Sequence, residues 1–573
     1  MDQTLRDSWI TWLGNNTYNG EFSVGQEFDS LHQLKDIVKS YSITKNQSFR
    51  VVESEPSKYV VECKRKKTHN CPWKLRAIKD PMLPIFRVVK YNGPHANNCV
   101  GDIISGDHQN LTSEFVCNII LDLVRVDPSL KIRAIVQVIK DRTEFSITYR
   151  KAWLAKQKAI AIIFGDWEKS YEELPRYMQA LQEANEGTVV HWSTIETSNP
   201  FIHVFKRVFW AFKPFIDGFR HCRPLITIDG THLYGRYKGT LLIAMATDAN
   251  FYLFPLAFAI VENESIKTWS WFMACLRQSV TQRRGLCVIS DRHAGILDAL
   301  NKEGSGWEEP FAHHRFCIRH LASNVGKHFK THMKNLFGRA ADERQKKKFD
   351  FWFKRIGDLN IKAREYLENI PFHLWSIHHD GGFRYGIRTT NMSECFNEVM
   401  KGARCLPIKA IVEMTFFRVN SYFVTRRGWG KRRLDEGHEY SEKAYKIIER
   451  NMQKSAAHSV KSFDYEMGLF QVTIGRGNRP PGKGDNKHNV DLVKKTCTCG
   501  KFLIYKLPCS HILAVCRDRN LSYASFIDPF FSTHEYRQTY IKSFKPLPDV
   551  PYWPPYVGPK VIANVNQKRG KPG

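Results

Sequence analysis

Long apolar runs are absent from this 573-residue sequence: the longest uninterrupted one, Leu253–Val261, spans nine residues, against the roughly 20 that a bilayer-crossing helix needs. A membrane-spanning chain is excluded on that ground. Acidic residues are also scarce, with 57 Asp and Glu against 86 Lys and Arg, leaving a formal charge of +29. A surface that basic expects a polyanion, nucleic acid first and an anionic membrane second. There is no biased tract and no internal repeat, which excludes fibrous and solenoid architectures. The opening MDQTLRDSWITWLG has acids where a secretory leader carries bases, so the chain reads as intracellular. In a reducing compartment its 14 cysteines are expected as thiols or metal ligands, and their spacing matters more than their number.

What is present is ample apolar material, 42% of residues with 13% aromatic, enough for three or four domains at roughly 100 to 200 residues each. The basic excess is spread along the chain: residues 51–100 carry 10 basic and 4 acidic side chains, and 481–573 carry 15 and 6. No single tail supplies it.

Residues 25–100 alternate in the strand manner (FRVVES, KYVVECKR, WKLRAI, IFRVVKY) and predict a small β module. Residues 105–200 read as a helical connector, with helical spacing in LTSEFVCNIILDLVRV and then in SLKIRAIVQVI, whose start is marked by Asp127 and Pro128. Between 220 and 300, PLITIDG, TLLIAMATD, YLFPLAFAIV, TWSWFMACLRQSV and GLCVISD predict an α/β core. Residues 301–384 read as a helical insertion without a strand of their own, 385–425 as a return to the core, and 468–520 as a strand pair, a Gly/Pro-rich loop and a cysteine cluster. The Pro-rich end, 545–573, is expected to be extended.

Cys497 and Cys499, then Cys509 and His511, form C-x-C, nine residues, C-x-H. Two close pairs of soft or borderline ligands suit tetrahedral Zn(II), since each pair grips the metal from one turn. Cys516, five residues past His511, is expected in the core. A second set, Cys63, Cys71, His95 and Cys99, lies in the N-terminal module beside KRKK at 64–67, with His69 as a competing ligand.

Asp229 closes PLITID and Asp291 closes GLCVISD. Carboxylates at the C-terminal ends of two strands of one sheet sit side by side and share divalent cations, as in-line attack on phosphodiesters requires. Glu394, in TTNMSECFNEVMKG, is the candidate third acid, facing back toward the sheet from the start of a helix. Each acid has an ordinary alternative: Asp229-Gly230 as a hairpin turn, Asp291 as an N-cap, Glu394 as a partner of the helix dipole.

These stretches together resemble the Mutator-like (MuDR-type) plant transposases over nearly the whole chain. LITIDGTHLYGRYKGTLLIAMATDANFYLFPLAFAIVENESIKTWSWFMACL is similar to the family's first catalytic block, VISDRHAGILDAL to the second and TTNMSECFNEVMKGARCLPI to the third. The resemblance implies an RNase H-like core of DDE type, interrupted by the helical insertion, with Asp229, Asp291 and Glu394 as catalytic ligands of Mg(II) or Mn(II). FCIRHLASN supplies Cys317 and His320, similar to the C-x-x-H signature of this group and not taken as a zinc site. The C-terminal cluster resembles a SWIM zinc finger, and the N-terminal one a WRKY/glial-cells-missing-like zinc module. There are two departures: three residues separate His95 from Cys99 where relatives have one, and the ending QKRGKPG only faintly resembles the AT-hook tail often found after such proteins.

The implied function is sequence-specific DNA binding, at transposon terminal repeats or promoter sites, with metal-dependent cleavage and strand transfer in the nucleus. The alternative is a domesticated nuclear regulator, similar to the far-red-response transcription factors, that binds DNA without transposing. A homo-oligomer is left open. TRRGWGKRR at 425–433 is either a DNA contact, an import signal or a solvated loop. GNRPPGKG at 477–484 is not a phosphate-binding loop, since Gly484 replaces the metal-binding Ser or Thr and two prolines remove N–H donors.

Overall fold

The computed structural model describes residues 20–99, 107–475 and 486–570. GNRPPGKG and the last three residues of the C-terminal QKRGKPG lie outside them. The chain divides into two compact units, one holding the residues up to Asp166, the other most of Trp167 to Lys568.

In the first unit, β1 (Glu27–Phe28), α1 (Leu31–Thr44), β2 (Phe49–Glu55), β3 (Lys58–Cys63), β4 (Lys74–Lys79) and β5 (Phe86–Asn92) form an antiparallel sheet of order β1-β5-β4-β3-β2 covered by the helix. Val61, Leu75, Ala77 and Val88 are buried between them, which is the strand alternation of the sequence turned inward. Helices α2 (Ser113–Val126), α3 (Ile132–Thr143) and α4 (Tyr149–Phe164) follow, α2 and α4 packed together.

The second unit opens with α5 (Lys169–Ala184) and is organised by one sheet: β6 (Val189–Glu196), β7 (Ile202–Ala211), β8 (Leu225–His232), β9 (Thr240–Thr247), β10 (Leu253–Val261), β11 (Leu286–Ser290), β12 (Ala312–Phe316) and a last strand, Lys560–Ile562. Its order is β12-β11-β8-β9-β10-β7 and then that last strand, with β6 also on β7. β8, β9 and β10 are an antiparallel meander, and β11 and β12 run parallel to β8, which realises the expected RNase H-like α/β core. β9 and β11 are buried throughout because helices cover the sheet: α6 (Lys213–Phe219), α7 (Ile266–Ser279), α8 (Ala294–Asn301) and the later α12 (Asn391–Val399).

Helices α9 (Ile318–Asp342), α10 (Lys346–Leu359) and α11 (Ile361–Glu368) form the insertion around Phe337, Phe349, Phe353 and Trp375. The long α13 (Ile408–Asp435) and α14 (Glu442–Ser455) lead to a four-stranded sheet of β13 (His458–Asp464), β14 (Leu469–Ile474), β15 (Lys487–Asp491) and β16 (Thr496–Cys497), closed by α15 (Lys501–Tyr505) and α16 (Ser510–Asp518). Helix α17 (Thr533–Thr539) precedes the final β17 (Lys560–Ile562).

Several expectations need correction. The stretch read as a connector contains β6, whose VVHWSTIE alternates like a strand and pairs with β7 along its length. The segment read as strandless opens with β12, a five-residue strand whose His and Arg made it look polar; they are matched by buried partners, His314 Nε2 on Ser290 Oγ at 2.8 Å and Arg315 Nε on Asp380 Oδ1 at 2.8 Å. The Pro-rich end, expected as extended, is also docked: the Arg176 guanidinium donates to the carbonyls of Val550, Trp553 and Pro554, and β17 extends the sheet parallel to β7. The basic run 425–433 is helical, within α13. Arg426 donates to Leu253 O and Tyr540 Oη and Arg427 to Tyr540 O, so these two charges hold the fold together.

Candidate active site and zinc centres

Asp229 does not end its strand. β8 continues to His232, with Asp229 opposite Ile243 and Gly230 opposite Leu242, so the hairpin-turn alternative fails. On its other side, Ile289 of β11 is level with Thr227. Two residues further on, that parallel register puts Asp291 level with Asp229, both on the same face as Thr227 and Ile289 because side chains repeat every second residue. Asp291 is not an N-cap either: His293 caps α8, and its backbone N–H donates to Asp291 Oδ1 at 3.0 Å.

Glu394 lies in the first turn of α12, but a different pair from that helix meets the sheet. Ser393 Oγ is 2.8 Å from Thr227 Oγ1, and Asn397 Nδ2 donates to Asp229 Oδ2 at 2.9 Å. Spaced i, i+4, these two side chains share one helical face. Glu394 is turned toward the start of α9, where Arg319 donates to it and His320 Nε2 is 3.8 Å from Oε1. The expectation that Glu394 faces the sheet is therefore corrected: it borders the acid pair from the insertion side. Asp291 and Glu394 still act on Asp229. Burial first, then the charges of Asp291, Glu394 and Glu264, push the Asp229 carboxyl up to about 7, against the pull of His320.

Cys317 and His320 belong to this site. Cys317 Sγ accepts from Thr390 N at 3.3 Å and Thr390 Oγ1 at 3.4 Å, and Cys317, His320 and Glu394 bring ligand atoms within 4.8 Å of one another. Hydrogen bonding to Cys317 raises His320 to about 9. Burial pushes the Cys317 thiol up, but His320 and Thr390 outweigh it and leave it near 7. Each partner thus favours the charged form of the other, at the edge of an acidic cluster. Asp229, Asp291 and Glu394 do not form a ligand group that tight among the described residues.

The two other Cys/His sets do close up. Cys63, Cys71, His95 and Cys99 are buried within 4.8 Å of one another, with Cys63 Sγ 3.1 Å from Cys99 Sγ and Cys71 Sγ 3.3 Å from His95 Nδ1. The longer His95–Cys99 spacing is absorbed by a 3₁₀ turn, Asn97–Cys99. His69 is bonded to Thr68 Oγ1 instead and is no ligand. His95 stacks on Trp73, ring centroids 4.6 Å apart, and Trp73 on Tyr41. Burial first, and Cys99 second, hold the Cys63 thiol up, so ionising it in that apolar setting calls for a cation.

Cys497, Cys499, Cys509 and His511 are likewise buried and within 4.8 Å, with His511 Nδ1 3.5 Å from Cys497 Sγ and 3.8 Å from Cys509 Sγ. Gly500, at φ +73°, turns the chain back after Cys499. Cys516 packs in the core beside this set without joining it. No cysteine is in a disulfide. Four converging ligands of this type fit tetrahedral zinc at both places.

No helix among the described residues is long and apolar enough to cross a membrane. Three family models match the chain: MuDR family transposase over residues 19–88, MULE transposase domain over 225–324 and SWIM zinc finger over 470–520. The second spans Asp229, Asp291, Cys317 and His320 and ends before Glu394, whose place in the site therefore rests on geometry. No curated protein matches the chain.

Proposed function

Taking as premise that the chain is built as a Mutator-like transposase, with a MuDR-family DNA-binding domain, a MULE domain and a SWIM zinc finger, we propose that it cuts and rejoins DNA strands where Asp229, Asp291 and Glu394 gather. The observation that supports this is the parallel register of β8 and β11, in which Thr227 and Ile289 pair two residues before the two aspartates, together with the charge interaction of Asp291 with Asp229. The Asp229 carboxyl, raised to about 7 by burial first and by neighbouring acids after it, is a group that a hard divalent cation relieves. Asp229, Asp291 and Glu394 would hold Mg(II) or Mn(II), which when bound acidifies a water or 3′-hydroxyl and neutralises charge on the phosphate oxygens.

The chain's own residues set the geometry. Asn397 orients Asp229, the His293 N–H orients Asp291, and the Ser393–Thr227 contact clamps α12 to β8 so that Glu394 returns to the site after the insertion. Arg319 holds Glu394. The zinc module of the first unit reads the DNA sequence through its exposed strand faces. Exposed Lys and Arg residues grip phosphates, giving affinity that falls steeply with salt. A nuclear location goes with this reading.

The test is labelled terminal-repeat DNA incubated with Mn(II) and either the wild-type chain or Asp291→Asn. Nicking by the wild type alone supports the reading. Nicking by both rejects the triad, and nicking by neither, with DNA binding intact, leaves the regulator that binds without cutting.

A further inference from the structure

The turn between β10 and α7 brings a fourth acid to the same place. Of its two glutamates, Glu262 is paired with Arg207 at 2.6 Å. Glu264 directly precedes Ser265, the N-cap of α7. The reciprocal bonds Ser265 N to Thr268 Oγ1 at 2.9 Å and Thr268 N to Ser265 Oγ at 3.3 Å fix its direction.

Glycines on both flanking segments let this turn close in. A Cβ on Gly230, the residue after Asp229, would stand 2.7 Å from Cδ and Oε1 of Glu264 and 3.0 Å from Oε2. A Cβ on Gly295, at the start of α8, would stand 2.7 Å from the carbonyl oxygen of Ser265. Glycine inside a strand gives up stability and marks a close approach; here the group approaching is a carboxylate. It is half-buried and interacts with His293, Asp291 and His232, while Asp229 in turn feels it. A helix-dipole role would be served equally well by a solvated side chain, and would not require the Gly230 cradle.

From this juxtaposition we propose that Glu264 is a further carboxylate ligand of the divalent-cation site, beside Asp229 and Asp291. The inference rests on the reading of the site given above. It makes that site a four-carboxylate one, with ligands from the first strand of the meander, the turn after its third strand, the end of β11 and the first turn of α12.

The test is Mn(II) titration of the full-length, zinc-loaded chain followed by electron paramagnetic resonance, with the Mn(II)-induced shift in melting temperature read on the same samples. Glu264→Gln keeps size and removes charge. It is expected to bind Mn(II) more weakly by on the order of tenfold, with a smaller melting shift and unchanged zinc content. Asp291→Asn is the reference. If Asp291→Asn weakens binding and Glu264→Gln does not, this inference is overturned and the site reading stands. If the wild-type chain binds no Mn(II), both are overturned. Should Glu264→Gln not fold, Glu264→Asp, which keeps the charge on a shorter arm, carries the test: weaker Mn(II) binding is expected, and unchanged binding overturns the proposal.

Discussion

The two Cys/His centres and the acid site solve opposite problems. Each zinc centre is buried: Cys63, Cys71, His95 and Cys99 lie under Trp73 and Tyr41, and Cys497, Cys499, Cys509 and His511 in the core below β14 and β15. Each draws its ligands from a short stretch, 37 residues at the N-terminal centre and 15 at the C-terminal one. The acid site stays partly open and spans 166 residues from Asp229 to Glu394. A structural metal replaces a core that a small module cannot build from apolar side chains alone, so it is sealed. On the proposed reading, a metal meant to meet a phosphodiester must keep positions free, so its ligands line a rim and come from elements far apart in the chain.

That contrast can be broken most severely at the zinc centres. Cys509→Ser is expected to lower zinc content from two per chain to one and to unfold residues 468–520, the loss being on the scale of the about 10–16 kcal/mol apparent binding energy of structural zinc. Atomic absorption together with limited proteolysis checks it; two zincs retained would contradict the sealed-centre account. At the acid site the fold should survive and the chemistry should not. Asp229→Asn is expected to reduce Mn(II)-dependent nicking beyond the roughly 100-fold upper range for supporting residues, with the melting temperature held or raised, since a buried charge is removed. Loss of folding instead would place Asp229 with the structural centres.

The comparison is sharpened by a residue that orients a ligand without being one. Asn397→Ala frees the Asp229 carboxylate from its donor, and about a tenfold fall in kcat with little change in KM is expected; a change confined to KM would assign Asn397 to DNA contact. His69→Ala should do least: zinc content, melting temperature and DNA affinity all within error of the wild type. A lost equivalent of zinc would return His69 to the ligand set.

How much of this was readable in the chain follows from how local each feature is. The C-x-C, C-x-H cluster is legible because its ligands and its loop are adjacent, and the ligand type restricts the metal. Asp229 and Asp291 are legible as acids after apolar runs. What spacing could not show is that β8 runs on past Asp229, since a strand's length is decided by its partner: β9 pairs as far as His232. β12 was missed for a related reason, because AHHRF is polar in composition and becomes core only when Ser290 and Asp380 meet its His314 and Arg315. Ser393 and Asn397 carried a signal, the i, i+4 spacing in NMSECFNE, that an acid-centred reading passes over.

Local chemistry in the linear chain was enough to specify two tetrahedral ligand sets, a basic surface and an α/β core bearing acids, because each depends on residue type at short separation. Which carboxylates share a cation depends on parallel register, on two glycines that admit a turn, and on a helix returning after the insertion. Those are long-range contacts, and no local pattern encodes where two distant strands come to rest side by side.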